Sequence, residues 1–134
     1  MKKSNEVFVS AVVVAAGKGS RMNMDTNKQY IEIGGIPVLA RTLLTLQNCD
    51  MINEIILVVN GQDIIFCKQE IIDSYELDKV KKLVAGGEER QESVYNGLLE
   101  VNEECDIVVI HDGARPFVRE ESISGSISAA YEYG

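Results

Sequence analysis

Cysteine, histidine and basic residues are all scarce in this chain, and each shortage removes a class of function. Cys49, Cys67 and Cys105 are odd in number, widely spaced and without any Cys-x-x-Cys pair. That argues against a disulfide framework or a zinc site, and a reducing cytoplasm is the expected compartment. The single histidine, His111, has no second histidine or cysteine close by, which favours a packed or hydrogen-bonding role over metal ligation. Thirteen basic residues face 21 acidic ones, a formal net charge of −8. A field of that sign repels nucleic-acid backbones, so no nucleic-acid partner is expected. No apolar run is long enough to span a membrane. The first such run is broken by Ser10 and stopped by Gly17, so it reads as a strand and not as a signal peptide. Repeats, low-complexity tracts and linkers are also lacking, and 134 residues suit a single domain with one core.

What the chain does have is a local excess of positive charge. Residues 1–30 hold Lys2, Lys3, Lys18, Arg21 and Lys28 against Glu6 and Asp25. Apolar segments alternate in character along the rest. Val7 to Val14 is nearly continuous in valine, as in a strand buried on both faces of a parallel sheet. A loop spans Ala15 to Lys28. The short alternation Tyr30-Ile31-Glu32-Ile33 meets a turn at Gly34-Gly35. Pro37 is expected in the first turn of a helix whose apolar face is Leu39, Leu43 and Leu46.

Ile55–Val59 reads as a second strand. Asp63 is expected to cap a helix carrying Ile64, Ile65, Ile71 and Ile72. Lys82–Ala85 is a third strand, and Arg90–Val101 a helix with Val94, Leu98 and Val101 on one face. Ile107–Ile110 is a fourth strand ending at His111-Asp112-Gly113. A last helix from about Glu120 would bury Ile123, Ile127 and Ala130. Strand–helix alternation of this kind predicts an α/β fold, a doubly wound, mostly parallel sheet with helices on both faces. Ligands of such sheets bind beyond the carboxyl ends of the strands. Ala15–Arg21, Gly86–Ser93 and His111–Phe117 all fall there.

The first of these stretches, Ala15-Ala16-Gly17-Lys18-Gly19-Ser20-Arg21-Met22, is a small-residue cationic loop after a strand. It is not a Walker A loop, because Val12 stands where the first glycine is needed and Gly19 follows Lys18. It is a poor dinucleotide fingerprint, because Met22 occupies the third glycine position and the second strand ends in Asn60-Gly61 with no acidic ribose partner. With Asn27-Lys28-Gln29-Tyr30, it is similar to a nucleotidyltransferase loop. Gly86-Gly87-Glu88-Glu89-Arg90-Gln91-Glu92-Ser93-Val94 and His111-Asp112-Gly113-Ala114-Arg115-Pro116 narrow the likeness. Together the four stretches resemble the 2-C-methyl-D-erythritol 4-phosphate cytidylyltransferase family, in register from Val12 through Pro116.

The resemblance implies a nucleotide-diphospho-sugar transferase-like, Rossmann-like domain that transfers a cytidylyl group from CTP to a polyol phosphate. It implies Arg21 and Lys28 as the catalytic pair, and Ala15, Ala16, Gly17, Lys18 and Gly19 as triphosphate-binding positions whose amides approach closely because the side chains are small. Gly87, Glu88 and Ser93 would contact the cytosine and ribose side; Glu88 departs from the aspartate expected there. Asp112 would ligate Mg²⁺, with an Asx turn before Gly113 as the alternative. Arg115 would face the acceptor, or else serve as a structural ion-pair partner. Glu89 and Glu92 read as a solvated acidic face. Rival readings are a ribitol 5-phosphate cytidylyltransferase, a more distant sugar-1-phosphate nucleotidyltransferase, and a nucleotide-binding module without catalysis. No strand follows the final helix, so the chain is expected to be one nucleotide-binding domain, 1–134, truncated at its C-terminal end. Little turnover is expected of it alone, and a homodimer is expected of the longer protein.

Overall fold

The computed structural model describes residues 7–16, 32–33 and 36–113. Four parallel strands form the central sheet: β1 (Val9–Val14), β4 (Glu54–Val59), β5 (Val80–Ala85) and β6 (Ile107–Asp112), in the spatial order β5-β4-β1-β6. A two-stranded antiparallel ribbon, β2 (Glu32–Ile33) and β3 (Ile36–Pro37), lies between β1 and helix α1 (Val38–Gln47) in sequence. A 3₁₀ turn at Gly61–Asp63 leads into α2 (Ile64–Phe66), which continues as a π-helical stretch, Cys67–Asp73. Helix α3 (Arg90–Leu98) precedes β6. No helix among the described residues is long and apolar enough to cross a membrane.

Every residue of β1 and of β4 is buried, as continuous valine and isoleucine runs require of central strands. Alternation then divides the core in two. Val9, Ala11 and Val13 face α1, whose Leu39, Leu43 and Leu46 are fully buried against them. Val12, Val14, Ile56 and Val58 face the other way, where Val84, Val94 and Val101 pack on them. Helices therefore cover both faces, and the doubly wound reading holds.

Local departures from the sequence reading each have a cause. Pro37 is the residue before α1, with φ −57° and ψ 144°, and not a member of the first turn. It closes the β2–β3 ribbon opposite Glu32, an extended role that its missing N–H permits. Asp63 precedes α2 without a side-chain cap. The π winding that follows breaks the 3.6-residue period, so Ile71 is fully buried while Ile65 is 71% exposed. On α3 the buried positions are the small residues Ser93 and Gly97, while Leu98 is 41% exposed. A Cβ on Gly97 would lie 2.6 Å from Val12 Cγ1 and 2.9 Å from Val58 Cγ2, so this glycine lets the helix rest directly on the sheet. β6 runs on through His111 and Asp112, which pair with Val13 and Val14. The helix expected from about Glu120 lies outside the described residues.

The opposite, amino-terminal end of the sheet is tied by one buried carboxylate. Glu54 accepts hydrogen bonds from Ser10 Oγ at 2.6 Å and from the Asn102 amide at 2.8 Å, and is 5% exposed. Removing it strands two donors, which costs about 1–3 kcal/mol. Glu54→Ala is expected to lower the urea-derived stability by that amount, with Glu54→Gln losing less. An unmoved midpoint would mean the carboxylate contributes nothing.

Candidate active site

Ala15 and Ala16 stand at the centre of the sheet's carboxyl end, just past β1, and the neighbouring strands close on them. The Ala15 amide donates to Val58 O at 2.7 Å, the Gly86 amide to Val59 O at 2.8 Å and the Gly113 amide to Val14 O at 3.0 Å. The ends of β1, β4, β5 and β6 are thus joined side by side through main-chain bonds. Because β4 and β5 lie on one side of β1 and β6 on the other, this is where the strand order reverses, the usual place for a ligand crevice.

Two glycines set how closely the loops approach. A Cβ on Gly86 would lie 2.5 Å from both Ala16 Cβ and Ser93 Oγ, and one on Gly113 would lie 3.0 Å from Leu39 Cδ1 and 3.1 Å from Ala15 Cβ. Gly86 therefore touches the β1 loop on the α3 side and Gly113 touches it on the α1 side. Asp112 pairs with Val14, which belongs to the α3-side core, so its exposed side chain stands on the same face as Gly86 and Ser93. His111 pairs with Val13 and points to the α1 side, away from that face.

The loop between β5 and α3 is braced from the helix's first turn. Ser93, fully buried, accepts the Gly87 amide on its Oγ at 3.1 Å. Glu92 Oε1 accepts the amides of Glu88 and Glu89, both at 3.1 Å. Glu89 completes a reciprocal capping box by accepting the Glu92 amide on its side chain. Asn96 Nδ2 donates to Ala85 O at 3.1 Å, fixing the end of β5 to the same helix. The acidic pair read from sequence as a solvated face is exposed, but it also holds the helix start. Its signal was the Glu-x-x-Glu spacing.

Of the residues proposed from sequence, Ala15, Ala16, Gly87, Glu88, Ser93 and Asp112 come together at this end of the sheet. Gly17, Lys18, Gly19, Arg21, Lys28 and Arg115 lie outside the described residues. Among the described residues no group of three or more His, Cys, Asp or Glu could hold a metal ion.

A model of the 2-C-methyl-D-erythritol 4-phosphate cytidylyltransferase family matches residues 9–133. The chain belongs to that family. It is 52% identical over 126 residues to the 2-C-methyl-D-erythritol 4-phosphate cytidylyltransferase of Alkaliphilus metalliredigens, covering 94% of this chain and 52% of the relative. The enzyme of that name from Alkaliphilus oremlandii is 50% identical over 125 residues, covering 93% and 53%. Among solved structures, 4-diphosphocytidyl-2C-methyl-D-erythritol synthase from Anaerococcus prevotii superposes with a TM-score of 0.77 at 35% identity, over 92% of this chain and 51% of that one. The fold is thus that of the cytidylyltransferase family, a nucleotide-diphospho-sugar transferase-like fold. The chain spans about half the length of the curated relatives it matches.

Proposed function

We propose that this chain carries the nucleotide half of a cytidylyltransferase site acting on CTP and 2-C-methyl-D-erythritol 4-phosphate. An ionised phosphate oxygen of the acceptor forms a bond to the α-phosphorus of CTP. The bond from that phosphorus to the bridging oxygen of the β-phosphate breaks, and pyrophosphate leaves with the electron pair. No general base is needed, because the nucleophile is already an anion. The obstacle is electrostatic, and preorganised cations are what lower it.

In this reading Arg21 and Lys28 hold the α-phosphate and stabilise the five-coordinate transition state. The amides and small side chains of Ala15 to Gly19 receive the triphosphate. Gly87, Glu88 and Ser93 define the base side, and Arg115 faces the acceptor. Asp112 would hold Mg²⁺, which when bound neutralises charge on the triphosphate. Turnover by these 134 residues alone would be slight, with further acceptor contacts and a homodimer belonging to the full-length protein.

The observation that carries the reading is the meeting of Ala15-Ala16, Gly86–Ser93 and Asp112-Gly113 at one end of the sheet in a chain of this family. Pyrophosphate release from CTP tests it, with methylerythritol phosphate, ribitol phosphate or no acceptor, in this chain and in a form as long as its relatives. Release that depends on methylerythritol phosphate in the longer form is expected, together with CTP binding by both. Dependence on ribitol phosphate would transfer the activity to that acceptor. Failure of both forms to bind CTP would overturn the reading.

A further inference from the structure

The Gly86–Glu89 segment is polarised by the elements on either side of it, the strand ladder before it and the first turn of α3 after it. Its four successive amides are all hydrogen-bonded: Gly86 to Val59 O, Gly87 to Ser93 Oγ, Glu88 and Glu89 to Glu92 Oε1. The carbonyls of Gly86, Gly87 and Glu88 have no hydrogen-bond partner among the described residues. The segment is therefore a row of acceptors. A base edge with an amino donor suits such a row, and one with a carbonyl in the same place does not. Cytosine carries an exocyclic amino group at C4 where uracil carries an oxygen, and a bare N3 where uracil carries N–H, so acceptors that face C4 favour cytosine.

One side chain enforces half of this polarity. Glu92 Oε1 accepts two consecutive amides, and its placement is itself constrained, because a Cβ on Gly87 would lie 2.5 Å from Glu92 Cβ. Without that carboxylate the peptide units on either side of Glu88 are free to rotate, and an amide donor can replace a carbonyl acceptor at the rim of the site.

We propose that Glu92 is a positioning residue for nucleotide selection, holding the Gly87-Glu88 backbone so that it presents acceptors to the pyrimidine. The proposal rests on the cytidylyltransferase reading, under which this loop meets the base. Glu92 itself need not touch the nucleotide.

The test is calorimetric binding of CTP and of UTP, with Mg²⁺, to the 134-residue chain and two variants. The unsubstituted chain is expected to prefer CTP. Glu92→Ala is expected to weaken CTP binding roughly tenfold while UTP binding changes by less than about twofold. Glu92→Gln keeps an oxygen acceptor on the same stem and is expected to retain the preference within about twofold. A merely structural role would lower both affinities together. An unaltered CTP-to-UTP ratio in Glu92→Ala, or an equal loss in Glu92→Gln, would overturn the proposal and leave the function standing. Failure of the unsubstituted chain to bind CTP would remove both. Should Glu92→Ala not fold, amide exchange in the unsubstituted chain decides: the exposed Glu88 and Glu89 amides are expected to be protected, and free exchange there would refute the positioning.

Discussion

Replacing Arg21 by alanine is expected to lower kcat for pyrophosphate release by roughly 10²–10³-fold, about 3–4 kcal/mol, in a form as long as the curated relatives. The reasoning starts from charge. The chain carries a net −8, and the proposed reaction brings an anionic phosphate against a triphosphate. Nothing in the general field of the protein assists that approach, so local cations must do so. Arg21 stands six residues beyond Ala15 in sequence, and Ala15 is bonded into the centre of the sheet's carboxyl end.

A guanidinium there presents a fixed fork of donors, whereas Lys28 presents a mobile point charge, so the two are not interchangeable. Arg21→Lys is accordingly expected to recover only part of the loss. CTP affinity, measured separately by calorimetry, should fall much less than kcat, because the charge matters most where it redistributes. Unchanged turnover in Arg21→Ala would take this residue out of the mechanism.

Gly86→Ala is the second large effect expected. The new Cβ would sit 2.5 Å from Ala16 Cβ, 2.5 Å from Ser93 Oγ and 3.1 Å from Val58 Cγ1. Ala16 has no rotamer to adopt, and the backbone before it is held by the bond from Ala15 to Val58 O. Ser93 is fully buried and engaged with Gly87. Relief therefore requires the loop to lift from β1 or α3 to slide along it, either of which opens the site. Overpacking of this kind costs about 1–3 kcal/mol, which corresponds to roughly 5- to 150-fold in CTP affinity if it falls on the binding-competent arrangement. Gly61→Ala is the matched control. Its Cβ would meet only Ala85 Cβ, at 3.9 Å, and both affinity and stability are expected to stay within about 0.5 kcal/mol. Wild-type affinity in Gly86→Ala would show that the loops tolerate separation.

Elements with continuous or strongly periodic apolar residues were legible before any coordinates. The valine run of β1, the isoleucine and valine run of β4 and the Leu39-Leu43-Leu46 stripe of α1 all occupy the positions their patterns predict. Their burial follows directly from hydrophobicity at a fixed period. The packing face of α3 was not legible in the same way. It is made by Ser93 and Gly97, residues whose contribution is shortness and not apolarity, so an apolar period points to Leu98 and passes over Gly97.

The site divided along the same line. Glycine-rich stretches at strand ends marked where Ala15-Ala16, Gly86-Gly87 and Gly113 would meet. The work of Glu89 and Glu92 was hidden by their charge, since two acids in a run of four look solvated whether or not they also accept backbone amides. Glutamate is, besides, an uncommon helix-capping residue compared with serine, threonine, aspartate or asparagine. Asp112 was expected at the end of the fourth strand and is found there; only the strand's apolar run, Ile107–Ile110, stopped two residues short of β6, because the histidine and aspartate ending it lack the apolar character that marks a strand.

The position of β1 between β4 and β6 also sets an order in time. Phe8 donates its amide to Asp106 Oδ2 across 98 residues of sequence, and Val14 meets Asp112 at the far end of the same pair of strands. Contacts so distant in sequence form slowly, since a long loop must close before they repay its entropy. During synthesis the amino-terminal segment emerges first, and β1 leaves the ribosome with one flank open until β6 has been made. Ala15 and Ala16 thus exist long before the Gly113 amide arrives to bond Val14 O beside them. Their setting is completed by β6, the last of the described strands to be made.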